Sequence, residues 1–328
     1  MTNPDGTDLP GGFAALVGRP NVGKSTLLNA LLGQKVSIAT RKPQTTRHRI
    51  LGIHQRDDAQ IVYVDTPGLH EGGRTAMNRY LNDAAGSALA DVDVVVMLSE
   101  AGRWSAADDR VLQRLETTRA PVIAAINKVD RIRDKNQLLP EIARVDQRRE
   151  FAAVVPVSAQ KADNLDTLEA AIIAQLPSGP ALFPRDQVTD RSESFMAAEL
   201  VREQLTMMLG DELPYASTVE IEAFEQEGRL RRIAAIIWVE RSGQRRIVIG
   251  EGGSRIKHIG EQARHETERL FDARVDLKAR VKVGEGWADD ASRLQARAYT
   301  QTVCDTHLGA HETGRNHEGR SLHANIPE

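Results

Sequence analysis

Cysteine is nearly absent from this 328-residue chain. The one thiol, Cys304, excludes an intrachain disulfide and any zinc cage built on several cysteines, and it suits a reducing cytoplasm. Long hydrophobic runs are missing too. Apolar stretches such as residues 94–98 have the length of buried strands, well short of the ~18 residues that span a bilayer. Residues 1–10 are polar, so no secretory signal is expected. Neither sign of charge is in excess, with 43 Lys and Arg against 46 Asp and Glu. Any hold on nucleic acid must therefore come from a local site. Hydrophobic residues at 41% can still supply packed cores, and the length suits two domains.

What is present is ordered along the first half of the chain. Gly18-Arg19-Pro20-Asn21-Val22-Gly23-Lys24-Ser25 fits the phosphate loop, with two glycines four residues apart and then Lys-Ser. Asp65-Thr66-Pro67-Gly68, Asn127-Lys128-Val129-Asp130 and Val157-Ser158-Ala159 follow in that order. Gly18 and Gly23 let the backbone turn its N–H groups onto phosphates at a helix start, and Val22 and Thr26 belong to the same nucleotide-binding set. Lys24 adds a full charge against the β- and γ-phosphates, and Ser25 offers a hydroxyl to Mg²⁺. Asp65 is expected to reach the metal through water, and the Gly68 N–H to sense the γ-phosphate. Asp130 selects the base, since its carboxylate accepts from guanine N1–H and the 2-amino group. Against adenine it would stay unpaired, at a cost of about 1–3 kcal/mol or more. Asn127 and Lys128 are expected to brace that loop, and the Ser158-Ala159 turn to offer backbone N–H to the guanine carbonyl.

Each segment stands behind an apolar run. Residues 13–17, 61–64, 92–98, 122–126 and 154–157 read as strands, and 26–32, 105–117, 136–145 and 164–176 as helices. The alternation predicts a mostly parallel six-stranded sheet covered on both faces. Residues 51–55 and 61–64 read as a hairpin that supplies one antiparallel edge strand. Ligands in such sheets sit beyond the carboxyl ends of the strands, which gathers the four motifs around one crevice.

The break at Leu176-Pro177-Ser178-Gly179-Pro180 divides the chain. The expected boundaries are a polar segment 1–10, a nucleotide domain 11–178, a linker 179–190, a second domain 191–299 and a disordered tail 300–328. In the second domain, residues 195–209 read as a helix ending at Gly210. Residues 218–224 alternate Val219, Ile221 and Ala223 inward with Glu220 and Glu222 outward. Glu227-Gly228 turns the chain, residues 230–239 return, 254–271 form a long helix and 272–283 a third strand. The tail carries His307, His311, His317 and His323 at spacings that match no metal cage.

Longer strings are more specific. Lys42-Pro43-Gln44-Thr45-Thr46-Arg47-His48-Arg49, Val64-Asp65-Thr66-Pro67-Gly68-Leu69-His70, Gly210-Asp211-Glu212-Leu213-Pro214-Tyr215 and Ile247-Val248-Ile249-Gly250 closely resemble the Era family of bacterial GTPases, over roughly residues 10–299. The resemblance implies an α/β P-loop NTPase G domain followed by an α+β type II KH domain, with GTP/GDP and Mg²⁺ as ligands. It implies slow hydrolysis of GTP to GDP and phosphate, binding of small-subunit ribosomal RNA near its 3′ end, and a part in maturation of the small ribosomal subunit. In related GTPases a switch threonine closes on Mg²⁺; Thr46 is expected in that role, with Thr45 as the alternative. Leu69 stands where Ras-type GTPases have the glutamine that orients water. An asparagine at the position of Asn21 holds K⁺ beside the phosphates in related GTPases, so Asn21 joins Lys24, Thr46, Asp65 and Gly68 in the expected catalytic set.

The KH resemblance assigns RNA-backbone clamping to Gly250-Glu251-Gly252-Gly253. Arg245, Arg246, Arg255 and Lys257 are expected on phosphates, and Val248, Ile249 and Ile256 along the apolar wall. Glu251 departs from the family and would repel phosphate. Residues 181–300 hold 19 Lys and Arg against 21 Asp and Glu, so modest, salt-sensitive affinity is expected. The expected setting is a cytoplasmic monomer that does not bind DNA, with peripheral contact at the inner face of the cell membrane as a secondary location. The alternatives are a membrane-associated or cell-cycle signalling GTPase and a GTPase linked to RNA modification. No lipidation site, basic amphipathic helix or extra cofactor motif supports either.

Overall fold

The computed structural model describes residues 8–40, 42, 45–67, 91–210, 213 and 216–284. Gly68, Leu69, His70, Pro43, Gln44, Asp211, Glu212, Pro214, Tyr215 and the four tail histidines lie outside the described residues.

Strand β1 (Leu9–Val17) runs into the phosphate loop and helix α1 (Lys24–Leu32), which stops at Gly33 with φ 66°. Then follow β2 (Ile50–Gln55), β3 (Gln60–Asp65), β4 (Val94–Glu100), α2 (Ala106–Arg114), β5 (Val122–Asn127), α3 (Leu138–Asp146), β6 (Ala153–Pro156) and α4 (Leu165–Ile173). The strand order is β2-β3-β1-β4-β5-β6, parallel except for β2 at the edge. The expected hairpin and its antiparallel strand are therefore present. Pro140 is accommodated in α3 because it falls in the first turn, where its missing N–H has no helical partner to lose.

Burial on both sheet faces follows from the period of two along each strand. Ala14 and Leu16 of β1 pack with Leu27, Leu28 and Leu31 of α1, while Ala15 and Val17 meet Val111 and Leu115 on the other side. Leu51, Ile53, Val62 and Val64 are covered by Leu182 and Phe183, from the segment expected as a linker. Gln60 holds that segment, its Oε1 accepting from the N–H groups of Leu182 and Phe183 at 2.7 and 3.0 Å. Just before it, β7 (Ser178–Gly179) pairs with β1, so a two-residue strand joins the six that the sequence predicts. The proline-marked break is a strap bound along the sheet.

The second unit comprises α5 (Glu193–Met208), β8 (Ser217–Glu227), β9 (Leu230–Val239), α6 (Ser242–Ile249), α7 (Ser254–Phe271) and β10 (Arg274–Val283). Its sheet runs β10-β9-β8, with β8 antiparallel and β10 parallel to β9. Val201 and Leu205 of α5, Val248 of α6 and Ile259 and Ala263 of α7 close over Ala235, Ile237 and Val239. One sequence expectation fails in β8. A bulge between Ile221 and Ala223 takes up one residue, so Phe224, not Ala223, continues the inward face and packs with Ile233 and Val275. No helix among the described residues is long and apolar enough to cross a membrane.

Helix α5 is buried all round from Phe195 to Thr206, including Glu199, Arg202 and Glu203. Its apolar side belongs to the second sheet. Its charged side faces the nucleotide domain, which is why those charges are buried yet paired.

Candidate functional site

The phosphate loop folds tightly because two glycines permit it. A Cβ on Gly23, which holds φ 108°, would come within 2.4 Å of Asn127 Nδ2. Lys24 lies nearly buried across the loop, its Nζ donating to the carbonyls of Gly18 and Arg19 at 3.1 and 3.3 Å. Burial lowers its pKa from 10.5 to about 8, against the pull of Asp65. Val22 is fully buried beneath the loop, and Thr26 follows Ser25 into α1. Asn21 is exposed with φ 61°, and its side-chain amide makes no hydrogen bond among the described residues.

Beside the loop, three hydroxyls meet one carboxylate oxygen. Asp65 Oδ2 accepts from Ser25 Oγ at 2.8 Å, Ser37 Oγ at 2.8 Å and Thr46 Oγ1 at 3.4 Å, and Ser25 and Thr46 lie 2.9 Å apart. Asp65 Oδ1 is buried without a hydrogen-bond partner among the described residues. Burial raises the Asp65 pKa against the opposing effects of Lys24 and the hydroxyls. Hard oxygen donors around a buried, half-satisfied carboxylate fit a magnesium ion. Thr45 is turned elsewhere, its Oγ1 meeting the Lys42 carbonyl and Thr40 Oγ1 at 2.6 Å each, so the geometry separates the two threonines in favour of Thr46.

On the base side, Asn127 ties three segments together. Its Nδ2 donates to the Val22 carbonyl at 3.0 Å, and its Oδ1 accepts from the N–H groups of Lys128 and Ala159 at 2.8 and 3.0 Å. Ser158 Oγ donates to Asp130 Oδ1 at 2.6 Å, which orients the carboxylate that stands exposed at the crevice. The N–H groups of Ser158 and Ala159 donate within the protein to the Asp163 carbonyl and to Asn127 Oδ1.

Three residues that motif reading does not single out prove central. Glu100, at the end of β4, accepts from Arg19 at 2.9 Å, Lys128 at 3.0 Å and Arg131 at 3.3 Å, while Lys128 Nζ also reaches the Asn21 carbonyl at 2.8 Å. Burial works to raise the Glu100 pKa, yet the hydrogen bonds and charges of Lys128 and Arg19 leave it below the usual carboxylate value. Glu100 thus joins the phosphate and base loops. Ser37 is the second such residue and Arg202 the third. Arg202 Nη2 donates to the Thr45 carbonyl at 2.5 Å while its guanidinium pairs with Glu199. The segment around Thr46 is further fixed to the second unit by Arg47 Nη1 on the Ser217 carbonyl at 2.8 Å and by Lys42 on the Leu209 carbonyl.

At the far end, Gly250-Glu251-Gly252-Gly253 links α6 to α7. A Cβ on Gly250 would lie 2.7 Å from that of Arg255, so this glycine permits close packing onto α7. Gly252 and Gly253, with φ 57° and 78°, face open space. Arg245, Arg246, Lys257 and Glu251 are exposed, and Arg255 donates to the Ile247 carbonyl at 2.5 Å. Val248 cannot line a groove because it is fully buried in the core. Its neighbour Ile247 carries the exposed apolar surface, at 46%.

Known proteins share both parts. Residues 13–128 match a family model described as 50S ribosome-binding GTPase, and residues 212–288 match the KH domain. GTPase Era of Pseudomonas aeruginosa strain PAO1 is 53% identical over 296 residues, covering 89% of this chain and 97% of the relative. GTPase Era of Marinobacter nauticus is 50% identical over 90% of this chain and 97% of its own. Among solved structures, Era in complex with MgGDPNP and nucleotides 1506–1542 of 16S ribosomal RNA superposes with a TM-score of 0.85 at 36% identity, covering 89% of this chain and 99% of that one. A single-site variant of Aquifex aeolicus Era bound to GDP·AlF₄⁻ gives 0.84 at the same identity and coverage.

Proposed function

The chain belongs to the Era family of GTPases and hydrolyses GTP to GDP and phosphate; from that premise we propose that it is a slow switch whose nucleotide state governs how its KH domain holds small-subunit ribosomal RNA near the 3′ end, in maturation of the small ribosomal subunit. The observation that carries this reading is the position of Thr46. Its hydroxyl reaches Ser25 and Asp65 in the nucleotide site, while flanking residues are bonded to α5 and β8 of the RNA-binding unit.

Each residue has a defined task in this reading. The phosphate loop presents its N–H groups, and Lys24 brings charge to the β- and γ-phosphates. Ser25 and Thr46 would hold Mg²⁺ with Asp65 behind them; when bound, the ion supplies charge neutralisation between those phosphates. Asp130 reads guanine. Asn21, with its amide uncommitted, is the residue we assign to K⁺, which predicts faster hydrolysis in K⁺ than in Na⁺ at matched ionic strength. Equal rates in the two salts would remove the potassium assignment.

RNA is held where Gly252 and Gly253 leave the backbone open to a sugar-phosphate chain at the start of α7. The structural likeness to an Era chain crystallised with 16S ribosomal RNA supports that partner. The test is sedimentation with small subunits in GTP and in GDP, alongside Gly253→Asp. Association should depend on the nucleotide, and the aspartate, strained at positive φ and repelled by phosphate, should abolish RNA binding while GTP hydrolysis persists. Undiminished RNA affinity in Gly253→Asp would refute the groove assignment.

A further inference from the structure

Ser37 belongs to none of the nucleotide motifs, yet it is 1% exposed and its hydroxyl meets Asp65 Oδ2 at 2.8 Å, as close as Ser25. We propose that Ser37 is a positioning residue of the magnesium site, fixing the rotation of the Asp65 carboxylate so that Oδ1 is the oxygen left for the metal's coordination shell. The inference rests on the magnesium reading above and adds a member to it.

Two observations carry it. Oδ2 takes all three hydroxyls, and Oδ1 is buried with no partner among the described residues, an arrangement that would leave a buried charge half satisfied unless a ligand completes it. Of the three hydroxyls, Ser25 and Thr46 have metal duties on this reading. Ser37 is the one whose only task is the carboxylate, so it restrains Asp65 whether or not the metal is bound.

The second observation is how firmly Ser37 is held. Asn29 Oδ1 accepts from the N–H groups of Val36 and Ser37 at 2.9 and 3.0 Å, and Asn29 Nδ2 donates to the Ser37 carbonyl at 2.7 Å. Asn29 lies four residues after Ser25 on α1, hence on the same helical face. One helix therefore carries a metal-facing hydroxyl at its start and, one turn later, a clamp that presents the second hydroxyl to the same carboxylate.

The experiment uses the full chain and release of fluorescent GDP, measured against free Mg²⁺ from chelator-buffered zero to saturation. Ser37→Ala should need about tenfold to hundredfold more Mg²⁺ to slow release by half, the effect of losing one hydrogen bond to a charged group. Its release rate without Mg²⁺ should match that of the parent. Ser37→Thr, which keeps the hydroxyl, should restore the parent midpoint, and Asn29→Ala should shift it in the direction of Ser37→Ala. A purely structural serine would instead speed release equally with and without the metal. That result, or identical Mg²⁺ midpoints in Ser37→Ala and the parent, would overturn the proposal. If the parent itself shows no Mg²⁺ dependence, the magnesium reading beneath it fails, which is a separate and distinguishable outcome.

Discussion

At position 130 a single carboxylate is the group we propose to select the base, and Ser158 Oγ donates to it at 2.6 Å. Asp130→Asn exchanges one of its two acceptors for a donor. One of the two hydrogen bonds to guanine is then replaced by a donor facing a donor, so GTP affinity should fall about 100-fold, with xanthosine triphosphate gaining because its 2-oxo group can accept. Competition between the two nucleotides measures this directly. Glu100→Ala leaves Arg19 and Lys128 without their shared counter-charge, and GDP release should quicken about tenfold with little change in base preference. Stopped-flow release checks it. These residues differ in how visible they were beforehand. Asp130, Lys24 and Asn127 sit in short strings whose chemistry demands those types at those spacings. Ser37 acts on Asp65, 28 residues away, and Glu100 on Arg19 and Lys128, 81 and 28 residues away, relations that only folding creates.

Elements were legible wherever a hydrophobic period ran undisturbed, as in β1, β5 and α7. The bulge at Glu222 was not legible, because one inserted residue breaks the alternation without any change in composition. Helix α5 shows the same limit in another form. Its sequence carries charges on the face that turns out to be interior, and only the docked nucleotide domain explains them. Arg202 and Glu199 form a buried pair there, and burial of Glu199 is outweighed by Arg202, which holds its pKa below the usual value. Arg202→Met should therefore cost about 3–5 kcal/mol in urea unfolding, while Arg202→Met with Glu199→Met costs less because no charge is stranded. His48 abuts the Phe195 ring of α5 at 5.6 Å between centroids. Burial lowers its pKa from 6.5 to about 4, with Glu199 opposing and Arg202, Arg191 and Arg47 assisting. A folded-state pKa below the unfolded value means stability present above pH 6.5 and lost as pH falls towards 4. Thermal unfolding across that window should fall less steeply in His48→Gln than in the parent.

In the whole molecule, the two domains are joined through the segment around Thr46 that we propose senses the nucleotide. Lys35 pairs with Glu203 and Glu266 of the RNA-binding unit, and residues on both sides of Thr46 are bonded to it as well. Any rearrangement of Thr46 on loss of the γ-phosphate must then either carry α5 with it or break those bonds. A coupling of this kind is reciprocal: if GTP in place of GDP raises RNA affinity by some factor, RNA must raise the preference for GTP over GDP by the same factor. Couplings of this class are typically about 5–150-fold. We expect a 3′-terminal small-subunit RNA fragment to shift the GTP-to-GDP affinity ratio by a factor in that range, and titration in both directions to return the same value. Arg47→Met removes the bond to the Ser217 carbonyl that ties this segment to β8, so it should bring both factors towards one while each ligand still binds alone. Should RNA leave the ratio unchanged in the parent, reciprocity would mean that the nucleotide does not govern RNA affinity either, and the contacts around Thr46 would be scaffolding.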